Sequence, residues 1–138
     1  MDASALLSIE DLTVEVRGTT GTLPGVRHAS LTVKSGGWLG LVGESGAGKT
    51  ILALSVLRLL PRGAIMTSGT ISYQGRDLLK LTETEMAKVR GREISIVFQN
   101  ALTSLNPLFT AGRQVADVYR FHQGGSEKEA EEEVIAMF

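Results

Sequence analysis

The chain has 138 residues, no cysteine, a formal net charge of -1 and 43% hydrophobic residues. That length holds at most one ordinary domain. The missing cysteines exclude a disulfide scaffold and thiolate metal sites and suit a reducing compartment, and the balanced charge gives no electrostatic reason to bind nucleic acid or an anionic membrane.

The start of the chain has no basic segment followed by an apolar core, so no secretory signal is expected. Leu12, Val14 and Val16 alternate with Thr13 and Glu15, the pattern of a half-exposed antiparallel strand. Residues 18–25, GTTGTLPG, read as a loop, and strand character resumes at 31–33. After the turn at 34–37, the unbroken apolar run Trp38–Val42 predicts a strand buried on both faces. A buried helix is expected from Lys49 to Leu60, stopped by Pro61 and Gly63. That stretch contains the longest apolar run, 51–60, which Ser55 and Arg58 interrupt; it is too short to span a bilayer. A membrane connection would have to run through a partner.

Residues 69–75 predict a short strand. Thr82 and Glu85 form a capping box that opens a helix closed near Gly91. Ile94–Phe98 predicts a second buried strand, ending at Gln99. A polar stretch carrying Pro107 and Gly112 leads to a helix over 114–121. A second capping box, Ser126 and Glu129, opens a last helix with Ala130, Val134 and Phe138 on one face. That apolar stripe reaches the last residue with no neighbour to cover it, so the domain reads as unfinished.

The chemistry is concentrated in Gly43-Glu44-Ser45-Gly46-Ala47-Gly48-Lys49-Thr50, which fits G-x-x-x-x-G-K-[ST], the phosphate-binding P-loop. Glycines let successive backbone N–H groups turn inward around a phosphate, and the positive end of the following helix adds field at the same point. Lys49 is placed to reach the β- and γ-phosphates, and the Thr50 hydroxyl to ligate Mg²⁺. From residue frequencies, a chance match in a chain of this length is on the order of one per cent. Strand-like residues before the loop and helical residues after it reduce that further. Gln99, where a buried strand leaves its sheet, can touch Mg²⁺ and an attacking water through its amide oxygen. Glu44 points away from phosphate in most such loops and is assigned no catalytic role.

These residues carry a resemblance. LLSIEDLTVEV, VKSGGWLGLVGESGAGKTILALSVLRLLP and SGTISYQGRDLLKLTETEMAKVRGREISIVFQNALTSLNPLFT together resemble the N-terminal portion of an ATP-binding subunit of an ABC transporter. The narrowest stretch, TSLNP after the glutamine, is typical of the oligopeptide, dipeptide and nickel import group. The resemblance implies an α/β fold: a P-loop NTPase (RecA-like) core with an antiparallel β subdomain over residues 1–98, then a Q-loop and the start of a helical subdomain over 99–138, truncated. It implies ATP and Mg²⁺ at Gly43 to Thr50, with Lys49 and Gln99 as catalytic residues and Thr50 and Gln99 at the metal. It implies a peripheral subunit on the cytoplasmic face of the inner membrane. Its partners would be membrane-spanning permease subunits, a second ATP-binding subunit and, indirectly, an extracytoplasmic solute-binding protein.

The chain departs from the family at Val16, where an aromatic residue commonly stacks on adenine, at Gly37, and at Asn100-Ala101 in place of Asp-Pro. It contains no LSGGQ-like signature and no second apolar run ending in Asp-Glu. Positioning and charge stabilisation carry most of phosphoryl transfer, so this chain is expected to hold ATP and hydrolyse it poorly, with exposed apolar surface and poor solubility. His28 and His122 are expected at the surface. The competing reading is an ABC-type ATPase acting in DNA repair or chromosome maintenance. The absence of cysteine and of heptads, together with TSLNP, argues against it; the arginines at 58, 62, 90 and 92 are too dispersed for a nucleic-acid stripe.

Overall fold

A computed structural model describes residues 5–18, 21–98 and 105–137. They form two compact units, Met1–Met86 and Ala87–Phe138.

The first unit is built on a four-stranded antiparallel sheet of order β2-β1-β3-β4. Its strands are β1 (Ala5–Gly18), β2 (Gly21–Lys34), β3 (Ala64–Tyr73) and β4 (Arg76–Asp77). The alternation read from the sequence is what buries β1: Leu12 and Val14 are fully buried while Glu15 is exposed. Within 18–25, read as a loop, Gly18 and residues 21–25 are instead strand. β1 and β2 pair to their ends through Arg17↔Thr22 and Gly18↔Gly21. Pro24 is tolerated because β2 is an edge strand, where a missing N–H costs no ladder bond. The expected strand at 69–75 is also longer, beginning at Ala64, because β1 offers partners as far as Val16.

Irregularities in the two ladders converge on one point. Thr13 faces both Arg27 and His28 between the Leu12↔Ala29 and Val14↔Val26 pairs. On the other side of β1, Asp11 and Leu12 face Gly69 alone between Glu10↔Thr70 and Thr13↔Ser68. At these irregularities Asp11, His28 and Gly69 all have positive φ, at 49°, 48° and 98°. His28 is exposed, as expected, and its Nδ1 lies 2.7 Å from Asp11 Oδ1.

Helix α1 (Lys49–Val56) ends four residues before the sequence suggested. Arg58 takes a left-handed φ of 53° and turns the chain. Its guanidinium donates to the Leu81 carbonyl at 2.6 Å, with Glu83 3.7 Å away. Leu52, Ser55, Val56 and Leu57 are buried, and the Ser55 hydroxyl donates to the Ile51 carbonyl.

Trp38–Val42 does not form the expected doubly buried strand. It takes no regular secondary structure and pairs with no described strand, with Trp38 92% and Val42 91% exposed. Ile94–Phe98 departs in the same way: only Ile94 makes a bridge, to Arg90, and Val97 is 89% exposed. A parallel strand is held by neighbours on its sides, and no described strand pairs with either run. The expectation of exposed apolar surface is met at these two segments.

Helix α2 (Glu83–Val89) has its capping box. The Glu85 carboxylate accepts from the Thr82 backbone N–H at 2.8 Å and from its hydroxyl at 2.7 Å. Gly91, at φ 80°, closes it.

In the second unit, α3 (Ala111–Gln123) and α4 (Glu127–Met137) pack through Ala116, Ala130 and Val134, joined by Val115 and Tyr119. Helix α3 starts three residues earlier than read, because the Thr110 hydroxyl caps it by accepting from the Arg113 N–H. His122 is half-buried rather than at the surface. Its ring lies so close to Gly91 that a Cβ there would stand 2.6 Å from Nε2.

The Ser126–Glu129 box is complete, and the Glu129 carboxylate accepts from the Ser126 N–H at 2.7 Å and its hydroxyl at 2.9 Å. These bonds, the backbone one first, hold the Glu129 pKa below its ordinary value. A depressed carboxylate pKa favours the folded helix above the unfolded pKa, and that advantage disappears as the pH falls through the folded value. The helical circular-dichroism signal should therefore weaken on acidification through and below the usual carboxylate range. Glu129→Gln should remove its share of that pH dependence; an unchanged acid transition in the variant would contradict the assignment.

Candidate phosphate-binding site

Residues 43–48 connect the 38–42 segment to α1, which begins at Lys49, and two glycines shape the turn. Gly46 and Gly48 have φ of 81° and 86°, the left-handed region that disfavours side chains. At Gly48 there is a second reason. A Cβ would collide with the Gly25 carbonyl oxygen, with Val26 Cγ2 only 3.2 Å away. The P-loop is thus seated directly on β2, a contact the sequence reading did not find. The glycine in LPGV was its only signal: a Cβ at Gly25 would stand 2.9 Å from Ile51 Cδ1 and 3.0 Å from Val16 Cγ2.

Gly48 is the N-cap of α1, and no side chain caps that end; no acidic residue lies in the first turn. The orphan N–H groups of a helix start therefore remain available to a ligand, with the helix dipole favouring an anion. One loop donor is used internally, since the Ala47 N–H donates to the Glu44 carbonyl at 3.2 Å.

The Lys49 ammonium folds back over the loop, donating to the carbonyls of Gly43 at 2.7 Å and Glu44 at 2.6 Å. It is thus held over the turn, with one more donor to offer. Glu44 and Ser45 are exposed, and Thr50 is exposed in the first turn of α1. The loop and β2 enclose a cavity of about 410 Å³, lined by Pro24–Arg27 and Ala29, by Leu41 and Val42, and by Gly46–Lys49 and Leu52. That volume lies within the range of small-molecule sites.

These residues fit a polyphosphate: a glycine turn too close-packed for side chains, an uncapped helix start and a lysine held over the turn. For Mg²⁺, the Thr50 hydroxyl, exposed in the first turn of α1, would be the side-chain ligand they offer. No group of three or more His, Asp or Glu side chains able to hold a metal occurs among the described residues. Gln99, the other expected metal and catalytic residue, lies outside the described residues.

Comparison with known proteins agrees with this geometry. The family model described as ABC transporter matches residues 26–137. The chain is 42% identical over 136 residues to a probable peptide ABC transporter ATP-binding protein of Sinorhizobium fredii, covering 98% of this chain and 41% of that protein. It is 38% identical to a glutathione import ATP-binding protein of Salmonella paratyphi A, covering 94% of this chain and 22% of that one. It therefore spans about two fifths or less of the curated relatives it matches. Among solved structures, a dimeric ATP-binding cassette in a post-hydrolysis state with ADP and Pi superposes with a TM-score of 0.76. The match covers 94% of this chain and 54% of the other at 21% identity, and it shows the shared fold. The α/β cassette fold and the family resemblance read from the motifs are both upheld, and the chain belongs to the ABC transporter family.

Proposed function

We propose that this chain is the ATP-gripping portion of a transport ATPase subunit that powers the import of peptides or a related small solute. The observation that carries the reading is the loop of Gly43–Thr50 seated on β2, with its uncapped helix start and its overlying lysine. The import relatives named for peptide and glutathione support a short peptide as cargo; nickel rests on the motif resemblance alone.

In this reading Gly43, Glu44, Ser45, Gly46, Ala47 and Gly48 wrap the phosphates with backbone. Lys49 neutralises their terminal charge, and Thr50, with Gln99, holds Mg²⁺, which when bound spreads the charge of the transferred phosphoryl group. Gln99 and the segment after it pass the state of the nucleotide to membrane-spanning permease subunits. Two ATP-binding subunits close on each other at the cytoplasmic face of the inner membrane, and an extracytoplasmic solute-binding protein selects the cargo. No described helix is long and apolar enough to cross a membrane.

The 138 residues alone lack the signature and the acidic strand end, and should bind Mg-ATP without sustained turnover. The test pairs the whole subunit with its permease in vesicles. ATP-dependent uptake of a short peptide, with the isolated chain binding but not hydrolysing ATP, is the expected result. Binding without any solute movement would remove the transport assignment, and steady turnover by the isolated chain would remove the argument for its inactivity.

A further inference from the structure

Away from the phosphate loop, the register breaks of the sheet bring an imidazole and a carboxylate together. His28 Nδ1 lies 2.7 Å from Asp11 Oδ1, and the two side chains are 75% and 68% exposed. A carboxylate only accepts hydrogen bonds, so Nδ1 is the ring nitrogen that carries the proton. The lone pair of the neutral ring is then on Nε2, in a side chain that is three-quarters open to solvent. We propose that His28 Nε2 is a phosphoryl-accepting nucleophile, positioned by Asp11, that takes a phosphoryl group from small donors of the phosphoramidate class. The proposal goes beyond the transport reading and does not depend on the phosphate loop.

The sheet holds this pair in place. Both residues keep a positive φ, 49° and 48°, and hydroxyl groups of their neighbours fix the backbone there. The Asp11 N–H donates to Ser30 Oγ at 2.9 Å and the His28 N–H to Thr13 Oγ1 at 3.3 Å. The Ser68 hydroxyl donates to the Asp11 carbonyl at 3.4 Å. A nucleophilic side chain works best when a further group orients it and meets the charge it develops. Here the Nε2–P bond forms as the P–N bond of the donor breaks. Its electron pair leaves with ammonia, which already carries its protons in the zwitterionic donor. The ring becomes an imidazolium that keeps its proton on Nδ1, and its positive charge faces the Asp11 carboxylate. His122 is the contrast within the chain. It is half-buried, and a Cβ at Gly91 would stand 2.6 Å from its Nε2. The chain has no cysteine to compete for the donor.

The test incubates the 138-residue chain with potassium phosphoramidate at neutral pH. Mass spectrometry locates the modified residue, and phosphorus NMR tells the Nε2 from the Nδ1 isomer. Phosphorylation of His28 at Nε2 is expected, ahead of His122. Exposure alone would also favour His28, so the Asp11 variants decide. Asp11→Ala should slow the reaction at His28 by about tenfold, the lower end of what losing the carboxylate behind a working histidine costs, and should spread attachment over both ring nitrogens. Asp11→Asn keeps an acceptor for Nδ1 and tolerates the left-handed backbone; it should hold attachment at Nε2 while losing rate. Circular dichroism certifies that each variant is folded. A folded variant of either kind that reacts at His28 as fast as the original chain overturns the proposal. So does a mixture of isomers at His28 in the original chain, or no reaction there at all.

Discussion

Lys49→Ala is expected to lower the affinity of the chain for Mg-ATP and for tripolyphosphate by the same factor, about 10- to 100-fold. A hydrogen bond to a charged group contributes about 1.5–3 kcal/mol, and each 1.4 kcal/mol is tenfold in affinity. The factor should be equal for the two ligands because the ammonium lies over the loop at the Gly43 and Glu44 carbonyls, the end of the site that the proposed function assigns to the phosphate tail. Lys49 is only half-buried, so the fold should survive the substitution, and a normal circular-dichroism spectrum would certify that. Titration calorimetry supplies the affinities. If ATP binding were lost while tripolyphosphate binding held, the lysine would be acting on the nucleoside, contrary to its position.

Gly69→Ala should be the most damaging glycine-to-alanine substitution in the sheet, costing roughly 2–5 kcal/mol as left-handed strain of about 1–2 and overpacking of about 1–3 add. Gly69 has φ 98°, where a side chain is strained, and a Cβ there would stand 2.5 Å from Leu12 Cα and 2.7 Å from the Asp11 carbonyl oxygen and the Leu12 nitrogen. All of these are backbone atoms of the central strand, at the point where the two bulges meet, so no side chain can swing aside to make room. Gly75→Ala is the control. It also has positive φ, 77°, but nothing lies within 4 Å of its Cβ position, so only the conformational cost of about 1–2 kcal/mol applies. Urea unfolding of both variants measures the difference. Equal losses would mean that the Gly69 backbone can shift, and that the paired bulges are softer than their packing indicates.

The local signals in the chain were sufficient wherever a few neighbouring residues satisfy one another. Thr82 with Glu85 and Ser126 with Glu129 needed no distant partner, and both boxes formed as the spacing required. The alternation of Leu12 and Val14 chose the buried face of β1, and Ala130 with Val134 chose the buried face of α4. The P-loop was legible for the same reason, because the need for glycine at Gly46 and Gly48 is a property of a short backbone turn.

What only the tertiary structure decided involves residues far apart in the chain. The length of β2 and β3 depended on the partners β1 offers, which made strand of Gly18 and residues 21–25 inside an apparent loop. The apolar runs at 38–42 and 94–98 carry strand-forming residues, yet an unbroken apolar pattern cannot bring the neighbours that a parallel strand needs, and both stand exposed. The seating of Gly48 on Gly25, and the cavity that β2 thereby shares with the loop, join residues more than twenty positions apart. The phosphate end of the site was written locally, in glycines, a lysine and a helix start. Its remaining wall came from the folding of a hairpin over that loop, which no short-range pattern encodes.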